Sequence, residues 1–243
     1  STMEEPVVDI IMATYNGAKY VSEQIESIQR QSYKNWRLLI SDDCSSDATL
    51  DIVRSYTNSD DRIKLISNEV KFGGAMPNFL NALSKSESSL FMFCDQDDIW
   101  LEDKIKISVE YITRLENEFG TDKPIFVSSD MKIVDDDLNL LSSSFINYER
   151  FGTKDSSLGH ALIENNVWGC TIIGNASLRV WLSRCASYDG LIMHDWLVNL
   201  ICKSAGFSYF INESTSLYRQ HSGQEVGSHK FSFIKLVRGF SLQ

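Results

Sequence analysis

Hydrophobic and polar positions in the first 114 residues alternate between two patterns. Short apolar runs of strand length are separated by segments whose apolar residues recur at helical spacing. This alternation predicts parallel strands joined by right-handed helical crossovers, as in nucleotide-binding α/β domains. The predicted strands are 7–14, 36–42, 63–67 and 90–94, and the predicted helices are 20–30, 49–56, 77–84 and 103–114.

The second half of the chain has a different pattern. After two short predicted strands comes the triplet Asp135-Asp136-Asp137, which we interpret as the solvated turn of a hairpin. A terminal segment, 229–240, has apolar residues at helical spacing and three basic residues, so it predicts an amphipathic helix that either packs on the domain or contacts an anionic membrane. The remaining predictions are strands at 125–129, 131–134, 167–173 and 216–218, a helix at 176–185, and a helix that begins near Asp195.

Polar residues collect where the four strands of the first half end. Because the carboxyl ends of parallel strands meet at one edge of a sheet, these four loops predict a single site. Each loop also has a purely structural explanation, such as a turn at Asn16-Gly17, a helix cap at Asp47 or a tight bend at Gly73-Gly74. The loops are Thr14-Tyr15-Asn16-Gly17, the segment from Asp42 to Asp47, the segment from Asn68 to Gly74, and the segment from Asp95 to Asp98.

The last of these loops is the most informative. Asp95, Asp97 and Asp98 lie within four residues and directly follow an apolar run. Carboxylates this close repel one another unless a cation, a donor-rich ligand or water shares the site. Carboxylate oxygens suit hard divalent cations, so the loop is a candidate Mg²⁺ or Mn²⁺ site. The alternative is a solvated turn that caps the next helix.

Net charge, cysteine content and the length of apolar runs limit the possible partners and the cellular compartment. The net charge of −10 argues against nucleic acid as a partner, because phosphate neutralisation needs a basic surface. The five cysteines are scattered and form no CxxC pair, which indicates a reducing cytoplasm without disulfides or a zinc site. The sequence shows neither a signal peptide nor an apolar run of the roughly 18 residues that span a bilayer. We therefore expect a cytoplasmic protein with at most a peripheral contact at the inner membrane face.

Seven segments in this order resemble the inverting nucleotide-sugar glycosyltransferases of family 2, in their rhamnosyltransferase-like branch. The resemblance implies a GT-A fold: a Rossmann-like, mostly parallel central sheet flanked by helices, with a smaller mixed region on the acceptor side. It implies one domain over 1–243, with a nucleotide-binding half at about 4–130 and an acceptor-binding half at about 131–243. The segments are IIMATYNGAKYVSEQIESIQRQSY, LLISDDCSSDATLDIV, NEVKFGGAMPNF, LFMFCDQDDIW, NNVWGCTII, HDWL and YRQHSGQEVG.

The resemblance also implies how the donor nucleotide is bound. Thr14 and Tyr15 would line the nucleobase pocket, and Asp43 would accept a hydrogen bond from the imide N–H of uracil or thymine. Lys71 would approach the base or a phosphate. Asp95 would contact the ribose or a metal-bound water.

Metal and catalytic roles follow in the same way. Asp97 would hold the Mn²⁺ or Mg²⁺ ion that bridges the diphosphate, with His221 as a further ligand or phosphate contact, while Asp98 would be a structural cap. Asp195 matches the family's general base, and His194 stands where the family commonly has another acid. From the residues alone, Asp195 is explained as well by a helix N-cap, and a lone histidine is often structural.

The implied reaction transfers a sugar from a dTDP- or UDP-sugar to a saccharide or lipid-linked saccharide acceptor in cell-surface polysaccharide synthesis. Rhamnose is the expected sugar, and a hexose from a UDP-sugar is the alternative. Two other classes compete with this hypothesis. One is a phosphatase of the haloacid dehalogenase type, which carries its paired aspartates after the first strand, and the other is a nucleotide-binding module without turnover.

Overall fold

A computed structural model describes residues 4–145, 170–185 and 208–220. Strands and helices alternate through the first part as the sequence predicts. The strands are β1 (Val8–Thr14), β2 (Trp36–Asp42), β3 (Ile63–Ile66), β4 (Leu90–Asp95), β5 (Ile99–Trp100), β6 (Phe126–Val134), β7 (Leu140–Ser142), β8 (Ile173–Asn175) and β9 (Ser208–Arg219). The helices are α1 (Val21–Gln29), α2 (Thr49–Ser59), α3 (Ala75–Leu83), α4 (Lys104–Phe119) and α5 (Ala176–Cys185).

The described strands form one sheet in the order β3-β2-β1-β4-β8-β6-β9-β5, with β7 paired to β6. Strands β1 to β4 are parallel, as predicted. Strand β8 is antiparallel to both β4 and β6, and β9 is parallel to β6. It follows that β6 and β9 run in the same direction as β4, so the carboxyl ends of six strands share one edge of the sheet. The mixed part begins at β8, on the side expected to receive the acceptor.

Both faces of the sheet are covered, which explains why its strands are continuous apolar runs. Along β1, Ile10 and Met12 contribute to one core cluster while Ile11 contributes to another, because successive side chains point to opposite faces. Helices α1, α2 and α4 cover the first face, and α3 and α5 cover the second. All seven residues of β1 are buried.

Among the differences from the sequence predictions, three concern elements near the site. The two strands predicted at 125–129 and 131–134 are one strand, β6, whose register shifts beside Asp130 where the polar residue interrupts the apolar pattern. The strand predicted at 167–173 is wrong in position, because Cys170 and Thr171 are helical and β8 begins at Ile173. The expectation that Asp98 caps a helix is also wrong, since β5 follows it and α4 has Asp103 at its N-cap.

Several predictions concern residues outside the described ranges. They are Asp195, His194, His221 and the helix at 229–240. Among the residues that the structure does describe, no helix is both long enough and apolar enough to cross a membrane. The division into two halves near residue 130 also stays a prediction.

Candidate active site

Polar loops from both parts of the sheet meet at the edge where β1, β2, β3, β4, β6 and β9 end. The four loops expected from the sequence all lie there. Two further segments join them: the turn after β6 and the end of β9. Because β8 runs in the opposite direction, the residues that precede it, Cys170 and Thr171, reach this same edge.

Thr14 anchors the first loop from inside the protein. Its side chain is buried, and its hydroxyl donates a hydrogen bond of 2.7 Å to Asp42 at the end of the neighbouring strand. The Thr14 carbonyl accepts hydrogen bonds from the Asp43 backbone N–H at 2.9 Å and from Asn78 Nδ2 at 3.2 Å. These contacts fix the backbone on which Tyr15 and Asp43 are carried.

Tyr15, Asp43 and Lys71, three of the predicted nucleotide-binding residues, lie together. Lys71 Nζ donates a hydrogen bond of 2.9 Å to the Tyr15 hydroxyl. The Asp43 carboxylate accepts hydrogen bonds from the backbone N–H groups of Phe72 at 2.5 Å and Gly73 at 3.2 Å. Gly73 has a φ of 79°, which favours glycine at this bend.

Asp43 is only 3% exposed because the loop from Val70 to Gly74 covers it. A carboxylate has about four lone-pair sites, so two remain for a ligand donor. An imide N–H could reach one of them only if this loop shifted. The predicted contact to the base therefore requires movement of the loop that also carries Lys71.

Gln96, which lies between Asp95 and Asp97, connects the acidic loop to the loop after β1. Gln96 Oε1 accepts a hydrogen bond from Tyr15 N at 3.0 Å, and Gln96 Nε2 donates one to Tyr15 O at 3.1 Å. A Cβ atom at Gly17 would lie 2.2 Å from Gln96 Oε1, so this approach requires glycine there. On the inner side, Gln24 of α1 donates a hydrogen bond of 2.7 Å to the Asp95 carbonyl.

Within residues 4–145, 170–185 and 208–220, Asp95, Asp98 and Cys170 form a group of metal-ligating side chains that converges at this edge. One ligand atom from each lies within 4.8 Å of the others. Oxygen ligands lie about 2.0–2.6 Å from a bound Mg²⁺ or Ca²⁺ ion, so side-chain atoms this close to one another could hold a shared cation. The two carboxylates suit Mg²⁺ or Mn²⁺, whereas a thiol suits softer metals. Asp97, the residue expected to hold the metal, is not in this group.

A buried positive charge lies behind the acids. Lys104, at the start of α4, is 1% exposed, and its Nζ donates a hydrogen bond of 3.1 Å to the Thr215 hydroxyl on β9. Burial lowers the pKa of Lys104 to about 8, although Cys94, Cys170 and Asp98 nearby oppose this shift. The ammonium group therefore balances part of the negative charge of this edge from within the protein.

Sequence reasoning missed Arg219 and misjudged the triplet at 135–137. Asp135 does organise a turn, because its Oδ1 accepts hydrogen bonds from the N–H groups of Asp137 and Asn139. The turn is not simply solvated, since Arg219 Nη1 donates to the Asp136 carbonyl at 2.9 Å and the Tyr20 hydroxyl donates to its carboxylate at 3.0 Å. The sequence signal for Arg219 was a basic residue directly after a predicted strand in a chain with an excess of acidic residues.

A mostly parallel sheet with polar loops after β1 to β4 and a mixed part beyond β4 is the architecture of the GT-A fold. The match to a family model settles the class. Residues 9–158 match glycosyl transferase family 2, and the chain belongs to that family. The fold and the enzyme class expected from the sequence are thus confirmed.

Relatives show the same class. A dTDP-rhamnosyl transferase, RfbG of Shigella flexneri, is 29% identical over 93% of this chain and 79% of its own length. The Escherichia coli protein WfgD, named as a UDP-Glc:alpha-D-GlcNAc-diphosphoundecaprenol beta-1,3-glucosyltransferase, is 38% identical over 46% of this chain and 43% of its own length. The chain therefore spans less than half of that second relative.

Solved structures agree on the fold. S. aureus TarS in complex with UDP-GlcNAc has a TM-score of 0.61 at 20% identity, over 95% of this chain and 64% of that one. The mannosyltransferase PcManGT from Pyrobaculum calidifontis, in complex with GDP-Man and Mn²⁺, has a TM-score of 0.59 at 17% identity, over 89% of this chain and 57% of that one.

Proposed function

We propose that this chain is a metal-dependent inverting glycosyltransferase that transfers a sugar from a nucleoside-diphosphate sugar to a saccharide or lipid-linked saccharide in cell-surface polysaccharide synthesis. The observation that carries the proposal is that the Asp43 loop and the Asp95–Asp98 loop flank the end of β1 on one sheet edge, with Asp95 and Asp98 close enough to share a cation. A nucleobase subsite next to a metal subsite is what a nucleotide-sugar donor requires.

Rhamnose from dTDP-L-rhamnose is the proposed sugar. The similarity to the dTDP-rhamnosyl transferase covers 93% of this chain, which includes the acceptor-side region as well as the nucleotide-binding half. A hexose from a UDP-sugar is the second candidate, because the similarity to the UDP-glucose-dependent relative is higher, 38%, over 112 residues. Thymine and uracil present the same imide edge, so Asp43 would accept either base.

Within the site, each group has a proposed task. Asp43 orients the base, Tyr15 and Lys71 close the same pocket, and Asp95 contacts the ribose or a metal-bound water. Because Asp95 also converges with Asp98, the candidate ligands of the cation are Asp95, Asp97, Asp98 and His221. When bound, a divalent cation neutralises the charge that develops on the departing diphosphate. The proposal places this reaction in the cytoplasm, with a peripheral contact at the inner membrane face.

Asp195 is the proposed general base. It accepts the proton of the acceptor hydroxyl as that oxygen attacks the anomeric carbon, and the bond to the diphosphate breaks in the same displacement. The sugar passes through an oxocarbenium-like state, and its anomeric configuration inverts. An amide at this position cannot accept the proton but has nearly the same shape.

The test is a nucleoside-diphosphate release assay over a panel of dTDP- and UDP-sugars with a lipid-linked saccharide acceptor. We expect wild-type transfer to need Mn²⁺ or Mg²⁺, and Asp97→Ala, Asp98→Asn and Asp195→Asn to lose transfer. Asp195→Asn should still bind the donor. The control is Asp51→Asn, which changes a carboxylate that is 89% exposed on α2.

Four results would contradict the proposal. Full transfer by Asp195→Asn would reject its role as base, and metal-independent transfer by the wild type would reject the role of the acidic loop. Nucleotide binding without any turnover on the panel would favour an inert binding module. Release of phosphate from a simple phosphomonoester would instead favour the phosphatase hypothesis, which the position of the acidic loop after the fourth strand disfavours.

A further inference from the structure

We infer that Arg219 is a positioning residue that holds the acidic loop, Asp95–Asp98, in the conformation that binds the divalent cation. This inference rests on the proposed function, because it concerns the metal subsite of the same reaction. It gives a role to Arg219 at the end of β9, in a segment where the sequence analysis assigned a role to His221 alone.

The guanidinium group of Arg219 connects three parts of the molecule. Its Nε donates to the Asp97 carbonyl at 3.0 Å, its Nη1 to the Asp136 carbonyl at 2.9 Å, and its Nη2 to the Glu23 carboxylate at 2.7 Å. The group also lies over the ring of Tyr20, 4.8 Å from its centroid. A planar fork of fixed N–H directions is suited to spanning separate acceptors in this way.

The contact with Asp97 is the important one. Its carbonyl belongs to the peptide group that joins Asp97 to Asp98, so fixing this oxygen fixes the plane from which both side chains project. Asp98 is 3% exposed and contributes a carboxylate to the group with Asp95 and Cys170. Without the hydrogen bond to Arg219, the loop could turn this peptide and separate the carboxylates.

Arg219 acts through the protein and not on the substrate. Each of its three side-chain nitrogens already donates to a protein acceptor, and the residue is only 3% exposed. Its ion pair is formed with Glu23 on α1, while its bond to the acidic loop is made to a neutral carbonyl. Arg219 therefore holds the acidic loop through a backbone oxygen, while its ion pair is made with Glu23 on a different element.

The test measures metal binding and does not depend on turnover. Mn²⁺ titration of the substrate-free protein, followed by electron paramagnetic resonance, compares wild type with Arg219→Lys, which keeps the charge but loses the fork. Loss of an outer contact to a metal ligand typically weakens metal affinity by about 10- to 100-fold, and we expect a loss in this range. Thermal unfolding of each metal-free variant reports its stability separately.

Arg62 supplies the matched control. It also lies over an aromatic ring, at 3.8 Å from the Trp36 centroid, binds the Asp60 carboxylate at 2.9 Å and donates to a backbone carbonyl, that of Lys34. It lies at the opposite edge of the sheet, where β3 begins. Arg62→Lys should therefore bind Mn²⁺ as the wild type does, whatever it costs in stability.

A second variant covers the case in which Arg219→Lys fails to fold. Glu23→Gln removes the charged partner of Arg219 from a half-exposed position on α1 and leaves the acidic loop unchanged. We expect it to weaken Mn²⁺ affinity by several-fold. Wild-type Mn²⁺ affinity in the folded Arg219→Lys protein, or in Glu23→Gln where Arg219→Lys does not fold, overturns the inference alone. Absence of Mn²⁺ binding by the wild type overturns both this inference and the metal-dependent function.

Discussion

Gln96 shows how a residue between two acids can link two subsites. Its amide binds both the N–H and the carbonyl of Tyr15, so the loop after β1 and the loop after β4 move together. Each hydrogen bond contributes roughly 1 kcal/mol net, and the pair is placed where nucleobase and diphosphate would be bound at once. The residue is therefore expected to matter for donor binding although it carries no charge.

Replacing Gln96 by Ala removes both hydrogen bonds to Tyr15. We expect the KM for the donor sugar to rise about tenfold, with a smaller change in kcat, because the lost contacts organise the free site. Initial-rate kinetics at saturating acceptor measure this split. Gln29→Ala, at the end of α1, removes a partly buried hydrogen bond to Asp60; it is the control and should leave the KM unchanged.

Gly17→Ala offers a sharper test of the same contact. The new methyl group would lie 2.2 Å from Gln96 Oε1 and displace the amide, so the single variant should resemble Gln96→Ala. In the Gln96→Ala background the obstacle is gone, and Gly17→Ala should then have almost no further effect. Additive effects in this double-mutant cycle would show that Gly17 acts through another contact.

The types of residue at this edge could be predicted from the sequence, but their exact partners could not. Polar residues after apolar strands predicted that Asp43 and Asp95 lie at one edge of the sheet, where the structure has them, because parallel strands deliver their ends to one edge. That Asp98 converges with Asp95 depends on how the loop turns. That turn is fixed by Gln24 and Arg219, which lie 71 and 122 positions away in the chain.

At the scale of elements, the junction between α2 and β3 is held by an ion pair remote from the site. Arg62 binds both oxygens of Asp60, at 3.0 and 2.9 Å, just before β3 begins. This pairing lowers the pKa of Asp60 to about 2. Because the pKa is lower in the folded than in the unfolded state, the stabilisation is present above pH 4 and is lost as the pH falls toward 2.

Asp60→Asn should therefore lower the free energy of unfolding at pH 7. Between pH 4 and pH 2 the free energy of unfolding should fall less in this variant than in the wild type. Thermal or urea unfolding over this pH range measures the difference. Asp51→Asn, which changes an exposed carboxylate of α2, should follow the wild-type profile. Parallel acid profiles for Asp60→Asn and the wild type would contradict the role given to this pair.

Most elements of the first half were predictable because their apolar period is unambiguous. Strands β1 and β2 and helix α1 begin and end within one residue of the prediction. Prediction was weaker for β6, where the polar residues Ser128 to Asp130 interrupt the apolar run although they are buried. The Asp130 carboxylate there accepts hydrogen bonds from the N–H groups of Met131 and Phe145, which a local pattern cannot reveal.

At the scale of the whole molecule, the order of strands decides which loops can cooperate. Antiparallel β8 brings Cys170 beside Asp95, and β9, parallel to β6, brings Arg219 beside Asp97. Alternating strands and helices predicted the parallel half, but the insertion of β8 between β4 and β6 is a long-range pairing with no local signal. The site is thus assembled from segments that are distant along the chain.

This assembly predicts that a divalent cation stabilises the entire fold. A ligand that binds only the native state at 100 times its Kd adds about 2.7 kcal/mol, which corresponds to a rise in Tm of about 5–10 °C for a chain of this size. Scanning calorimetry with Mn²⁺, against the same protein in EDTA, measures the shift. We expect Asp98→Asn to lose most of it, because one of the two converging carboxylates becomes a neutral amide, and Asp51→Asn to retain it. An equal shift in wild type and Asp98→Asn would mean that the cation binds elsewhere on a chain whose net charge is −10.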